Sequence, residues 1–178
     1  MQKKIIIGII LLMIIGLGIF IYMNVNIETE YTPETEIEEQ EYRNTVISLY
    51  FQNKATKELQ IETRLIDSKE LFKNPYTTLI DMLLTGPESD SLENSIPKET
   101  KLISTILEGE CLVVNLSKEF IDCAKDNIVE KMNSIYSIVN TVTELKEVSA
   151  VKLLIEGEEG KGFENEGIKF DNVFVRAK

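Results

Sequence analysis

The stretch Leu83-Leu84-Thr85-Gly86-Pro87-Glu88-Ser89-Asp90-Ser91-Leu92-Glu93-Asn94-Ser95-Ile96-Pro97 sets the apolar end of a periodic segment against a polar run closed by a second proline. Gly86 suits the residue just past a helix end, where a left-handed backbone satisfies the last carbonyls, and Pro87 forbids continuation. Pro97 holds the chain extended before the next element. On this reading Gly86, Pro87 and Pro97 form a structural joint. The other reading makes the polar middle, with Glu88, Asp90 and Glu93, a binding loop, because functional side chains favour loops on rigid scaffolds.

Upstream, Asn74 fits a helix N-cap and Pro75 the first helical position, while Tyr76, Leu79, Ile80 and Leu83 recur at helical spacing. Before that helix the pattern is of strands. Residues 46–51 are a compact β-type run, and Leu59, Ile61, Thr63 and Leu65 alternate with polar neighbours, so the odd positions are expected to face inward. Downstream, residues 101–107 and 111–116 read as a second hairpin with Glu108-Gly109 as a two-residue turn, placing Ile103 opposite Val114 and Thr105 opposite Leu112. Asn127 followed by Glu130 resembles a capping box, and Ile128, Met132, Ile135, Val139 and Val142 form an apolar stripe on a helix reaching about Leu145. A last strand covers residues 150–155, and a short β segment is expected near residues 173–175. The order β-β-α-β-β-α-β predicts an α+β sandwich of two layers, with both helices on one face of a mixed sheet.

The N-terminus has a different character. Residues 5–23 are an unbroken run of apolar residues and glycine, about 28 Å long as a helix. Lys3 and Lys4 precede it and Glu28 and Glu30 follow it, which predicts a transmembrane anchor with residues 1–4 cytoplasmic and the rest outside the cell membrane. A cleaved signal peptide is the competing reading, but Phe20, Ile21, Tyr22 and Met23 offer no small-residue cleavage pattern. Residues 24–45 are expected to be an acidic, disordered stalk, with seven glutamates before Arg43.

Composition narrows the chemistry. The net charge of −11, and −6 from Arg43 onward, argues against a nucleic-acid partner, which needs a clustered basic face. Histidine is absent, which removes the commonest neutral-pH base and zinc ligand. Cys111 and Cys123 are twelve residues apart; they are read as an unpaired small hydrophobe and a loop residue, with a disulfide as the alternative outside the cytoplasm. Ser117 lacks a nucleophile-elbow context and suits the cap of a short turn through Phe120. The tract Glu156-Gly157-Glu158-Glu159-Gly160-Lys161-Gly162 has neither P-loop order nor the spacing of a calcium loop, and reads as a flexible exit loop. Tyr136 and the stripe around it are read as core rather than as a docking face. No catalytic, cofactor or metal site is expected.

The ordered series Leu49-Tyr50-Phe51, Arg64, Leu83-Leu84-Thr85-Gly86-Pro87, Ile96-Pro97, Val114-Asn115-Leu116-Ser117-Lys118-Glu119-Phe120, Ile138-Val139-Asn140-Thr141-Val142-Thr143 and residues 148–157 resembles the GerMN domain of spore-forming bacteria. The resemblance covers residues 46–157 and leaves 158–178 as a C-terminal extension. It implies an exported, membrane-tethered domain without catalytic residues, with a fold similar to small α/β ring-building modules of secretion-type assemblies. This chain departs from family patterns in having one copy, an apolar anchor instead of a lipid-modified cysteine, and Asn115 where an acidic residue is expected. The implied role is non-enzymatic, in sporulation or germination, through contacts with cell-envelope or sporulation proteins or by self-association. Two alternatives stand beside it. A peptidoglycan-binding module suits the location but lacks tryptophan for a stacking platform, and a cell-wall hydrolase would need paired carboxylates.

Overall fold

Asn44–Asn53 (β1) and Leu59–Asp67 (β2) form an antiparallel hairpin in which Val46 faces Leu65 and Tyr50 faces Ile61. The side chain of Asn53 closes the turn by accepting from the N–H groups of Ala55 and Thr56 at 2.8 and 3.1 Å. The structure is a computed structural model that describes residues 13–22 and 44–176. The chain divides into two units, Met1–Gln40 and Glu41–Lys178.

In the first unit, residues 13–22 are helical with exposed side chains. Among the described residues no helix is long and apolar enough to cross a membrane. The remainder of the expected anchor at 5–23, residues 1–4 and the stalk up to residue 43 lie outside the described residues.

In the second unit, Ser68–Lys73 (α1) follows β2 directly, capped by Asp67, whose side chain accepts from the N–H of Lys69. Pro75–Thr85 (α2) begins and ends where Pro75 and Gly86 predict. Then come Leu92–Glu93 (β3), Leu102–Glu108 (β4), Cys111–Leu116 (β5), Glu119–Asp122 (α3), Ile128–Val142 (α4) and Ala150–Ile155 (β6). The chain closes with Gly162–Phe163 (β7), a 3-10 turn at Glu164–Glu166, Ile168–Lys169 (β8) and Phe174–Val175 (β9).

The mixed α+β class is as expected, but the single sheet is not. The strands form a three-stranded sheet β2-β1-β3, a four-stranded sheet β4-β5-β6-β9 and a small pair β7-β8. The reason lies at the second edge of β1. There the N–H of Tyr50 donates to Thr141 Oγ1 at 3.0 Å, and the Ser137 hydroxyl donates to the Tyr50 carbonyl. Helix α4 therefore occupies the edge that a strand of the second hairpin would have needed, and blocks it from further pairing. Helix α2 packs against β1, β4 and α4 together, so the two helices do not share one face of one sheet.

Three local expectations are corrected as well. In β2 the even positions Arg64 and Ile66 are buried, while Ile61 and Leu65 are exposed. The inward face is set by Ile47, Leu49 and Phe51 of β1, and register forces their β2 partners Arg64, Glu62 and Gln60 onto the same side. In the second hairpin Thr105 pairs with Val114 and Leu107 with Leu112, so the turn is Gly109-Glu110, with Gly109 at φ +63 as a glycine-first two-residue loop requires. The register moves by two residues, which keeps Thr105 and Leu107 on their face, but it shifts again between Leu102 and Ser104, so Ile103 is left out of the pairing and is exposed. In α4 Ile135, Val139 and Val142 are buried as the stripe predicts, but Ile128 is exposed and the buried side widens to take in Ser134, Ser137, Ile138 and Thr141, because the helix must meet the β1 edge as well as the core.

The core runs through β1, α2, β5, α4 and β6 and continues into the C-terminal segment. Phe120, Phe163 and Phe170 pack with centroid separations of 5.6 to 6.1 Å, and Phe174 adds a T-shaped contact to Phe170 at 5.9 Å. The segment expected as an exit loop and extension thus supplies the aromatic floor of the fold. A Cβ on Gly162 would lie 2.1 Å from the Ile168 carbonyl, so the β7-β8 pair needs glycine at that position.

Candidate functional site

The joint after α2 is held from below by β2. Gly86 adopts φ +100, a region that favours glycine, and its N–H donates to the Leu83 carbonyl at 3.1 Å. Its own carbonyl accepts from the Arg64 guanidinium at 2.6 Å. Arg64 also pairs with Glu62 at 2.5 Å, both side chains being largely buried, and lies over the Phe51 ring. Glu62 in turn accepts from the N–H groups of Glu88 and Ser89. Burial opposes the charge of Glu62, but the N–H of Ser89, the Arg64 guanidinium and the N–H of Glu88 outweigh it, so its carboxyl titrates below the usual range. Asn94 completes the joint by donating to the Leu83 carbonyl at 2.8 Å. Pro97 stands at its far end, where its carbonyl accepts from the Thr100 N–H.

The three acidic residues of this loop do not converge. Glu88 is exposed and lies 3.5 Å from Arg64. Asp90 is exposed, and it is its backbone carbonyl that accepts from Lys54. Glu93 is turned toward Lys57 at 2.6 Å and Gln52 at 2.9 Å, contacts that lower its pKa, with Lys57 the main cause. Gln52 carries this network on to Asn133 of α4 at 2.7 Å. The loop is pinned to β1 and β2 through its backbone and Glu93, while the Glu88 and Asp90 side chains stand in solvent.

A second candidate was not legible as a site in the sequence. A cleft of about 510 Å³ opens between α3, the end of β6 and the turn around Glu164–Glu166. Lys131 of α4 reaches it with its side chain almost fully buried, 2.6 Å from Glu166 and over the Phe163 ring. Asp126 flanks the ammonium at 3.7 Å. The signal in the sequence was a lysine at helical spacing from Ser134, Ile135 and Ile138, which places it on the buried side of α4. Lys118, Lys161, Glu156 and Glu158 surround the mouth, and Lys161 pairs with Glu158 at 3.2 Å.

Elsewhere the charged groups also bind the fold to itself. Tyr50 donates to Glu144 at 2.9 Å, and Arg176 pairs with both, fastening the C-terminal segment to β1 and α4. Burial and then Glu144 raise the Tyr50 pKa, while Arg176 lowers that of Glu144. Ser117 is a fastener too, since its hydroxyl accepts from the Lys101 N–H at 3.0 Å. Asn115 accepts from the Gly157 N–H at 2.8 Å, fixing the turn after β6. Both cysteines are free thiols, and burial together with the carboxylates of Glu99, Glu119 and Asp122 raises the pKa of Cys123, the reverse of what an activated thiolate needs. Among the described residues no group of three or more acidic or thiol side chains is arranged to hold a metal ion.

Residues 48–161 match the family Germane, described as sporulation and spore germination. No curated protein matches the chain. The tandem GerMN domains of the sporulation protein GerM from Bacillus subtilis superpose with a TM-score of 0.60 at 20% identity, covering 76% of this chain and 46% of that one. This chain thus spans about half the length of the tandem structure. The first GerMN domain of the same protein gives a TM-score of 0.54 at 18% identity, covering 65% of this chain and 85% of that one. A putative lipoprotein from Clostridium perfringens gives 0.50 at 22% identity, covering 74% and 87%. The match over residues 48–161, carried on a mixed α+β fold like that of the GerMN domains, makes this chain a member of the sporulation and spore germination family.

Proposed function

We propose that this chain is a non-enzymatic, extracytoplasmic domain, held at the cell membrane by its apolar N-terminal run, that acts in sporulation or germination by docking to other cell-envelope or sporulation proteins. The observation that carries the reading is a sheet face left uncovered by the described residues. In the β4-β5-β6-β9 sheet, Leu112, Val114, Val151 and Leu153 point into the core, whereas Ile106, Val113, Leu154 and Val175 lie on the opposite face, with Ile106 and Val175 exposed. Lys152 on that face is neutralised by Glu159 at 2.7 Å, which leaves an apolar surface of the kind that protein contacts use. Membrane tethering is supported by the run at residues 5–23 and by the likeness to a putative lipoprotein.

The test is a photo-crosslinking residue at Ile106 in the sporulating host. Capture of an envelope or sporulation protein is expected, together with a sporulation or germination defect on Ile106→Glu and Val175→Glu. Normal spore formation and germination in a strain lacking residues 46–157 would refute the role, and capture of glycan strands alone would replace it with peptidoglycan binding.

A further inference from the structure

The apolar side chains that project furthest from the folded domain lie together at one end of the first hairpin. Val46 and Leu65 are cross-strand partners on the outer face of β1 and β2, exposed by 63% and 71%. Phe72, on the short helix that leaves β2 at once, is 82% exposed, while its neighbour Leu71 packs on the core. A phenylalanine held that far into water, on the helix that follows the strand end carrying an exposed leucine and valine pair, is unfavourable for a domain surrounded by solvent alone. The same end contains Asn44, paired with Asp67, so this is where the chain arrives from its N-terminal part. Twenty residues separate Met23, the end of the apolar run, from Asn44. Their contour is at most about 70 Å, which sets the distance within which this end remains from the point where that run ends.

We propose that Val46, Leu65 and Phe72 form a lipid-docking tip, which seats the β1-β2 end of the domain on the surface of the bilayer that holds its own N-terminal run. The proposal rests on the anchoring reading above. The charges of the tip suit an interfacial seat: Lys69 and Lys73 on α1 are offset by Asp67 and Glu70, so this end is balanced within a chain of net charge −11. Insertion is therefore driven by apolar area rather than by attraction to anionic headgroups. Seating this end leaves the β1-β2 turn, roughly 25 Å further along the strands, directed away from lipid.

The chain contains no tryptophan, so one introduced residue reports alone. The full chain carrying Phe72→Trp, and separately Thr56→Trp in the turn at the other end of the hairpin, would be reconstituted into vesicles with and without brominated phosphatidylcholine. The expected result is quenching at position 72 but not at 56, equal in zwitterionic and anionic vesicles. Adding Leu65→Ser to the Phe72→Trp chain should lower the equilibrium constant between docked and undocked states roughly tenfold. A Phe72→Trp chain that floats with the vesicles while its indole stays unquenched overturns the docking tip and leaves anchoring intact. A chain that does not float removes anchoring and the tip together. Shielding of the same indole from aqueous acrylamide without quenching by brominated lipid overturns the tip in favour of a second copy covering this face.

Discussion

Two stretches of irregular chain lie over the same core, and the balance of forces that holds them differs, although the first also buries Leu92 and Ile96 and the second also has an ion pair, Lys131–Glu166 at 2.6 Å. The joint from Gly86 to Pro97 is fastened by charge and hydrogen bonds, through the buried pair Glu62–Arg64 and through Asn94. The stretch from Gly162 to Phe174 is fastened by rings, with Phe163 and Phe170 buried against Phe120. Ring packing is non-directional and nearly independent of pH and salt. A buried ion pair is directional, and each partner left alone becomes a liability. The ion pair fixes one geometry for a loop; the rings add core volume.

The largest effect expected of a single change is in the aromatic stretch. Phe170→Ala should cost about 4 kcal/mol through cavity formation, read as a lower denaturant midpoint with an unchanged acid profile. Arg64→Ala should cost about 3 kcal/mol, because it leaves Glu62 largely buried without its cation and frees the Gly86 carbonyl. Arg64→Lys should recover only part of this, since one ammonium cannot reproduce the fork that meets Glu62 and Gly86 together.

Acid should separate the two regions further. The folded-state pKa of Glu62 lies below its unfolded value, so its contribution is complete above the unfolded value of about 4.3 and is lost as pH falls through the folded one. The wild type and Phe170→Ala should therefore lose stability in parallel below about pH 4.3, whereas Glu62→Gln should show a shallower decline. Glu93 and Glu144 are depressed in the same sense and will keep that decline from vanishing. Thermal unfolding of the three proteins between neutral pH and about pH 3 would show it.

Smaller still is Gly86→Ala, expected to cost about 2 kcal/mol through backbone strain at φ +100. Glu88→Ala and Asp90→Ala, whose side chains stand in solvent, should each stay within about 0.5 kcal/mol in a melting curve. A larger loss from either would show that the joint depends on more than its backbone and Glu62.

The same contrast explains what could be read in advance. The α2 boundaries were legible because Pro75, Gly86 and Pro87 act through local backbone rules, although Asn74 at the N-cap position makes no side-chain cap hydrogen bond. The β4 and β5 strands were legible but their pairing was not, since the hairpin turns one residue later than expected and an irregularity at Ile103 breaks the register. The β2 face was not, because the alternation of Leu59, Ile61 and Leu65 is overridden by register with β1, and Arg64 becomes tolerable inside only with Glu62 and the Gly86 carbonyl beside it. Nor was the cleft, since Glu166 and Phe163 lie far along the chain from Lys131, whose own place on the buried side of α4 follows from its spacing.

The sequence alone settled the helix ends at Pro75 and Gly86, the runs of β1, β2, β4, β5 and β6, the acidic segment before Arg43, the apolar run at 5–23 and the absence of histidine, all properties of residues and their near neighbours. Only tertiary structure decided that the strands divide into separate sheets, that Ser137 and Thr141 cap the edge of β1, and that the C-terminal phenylalanines enter the core. Those outcomes depend on which distant groups satisfy a buried hydrogen bond or fill a buried volume, and neither quantity exists until the chain has closed on itself.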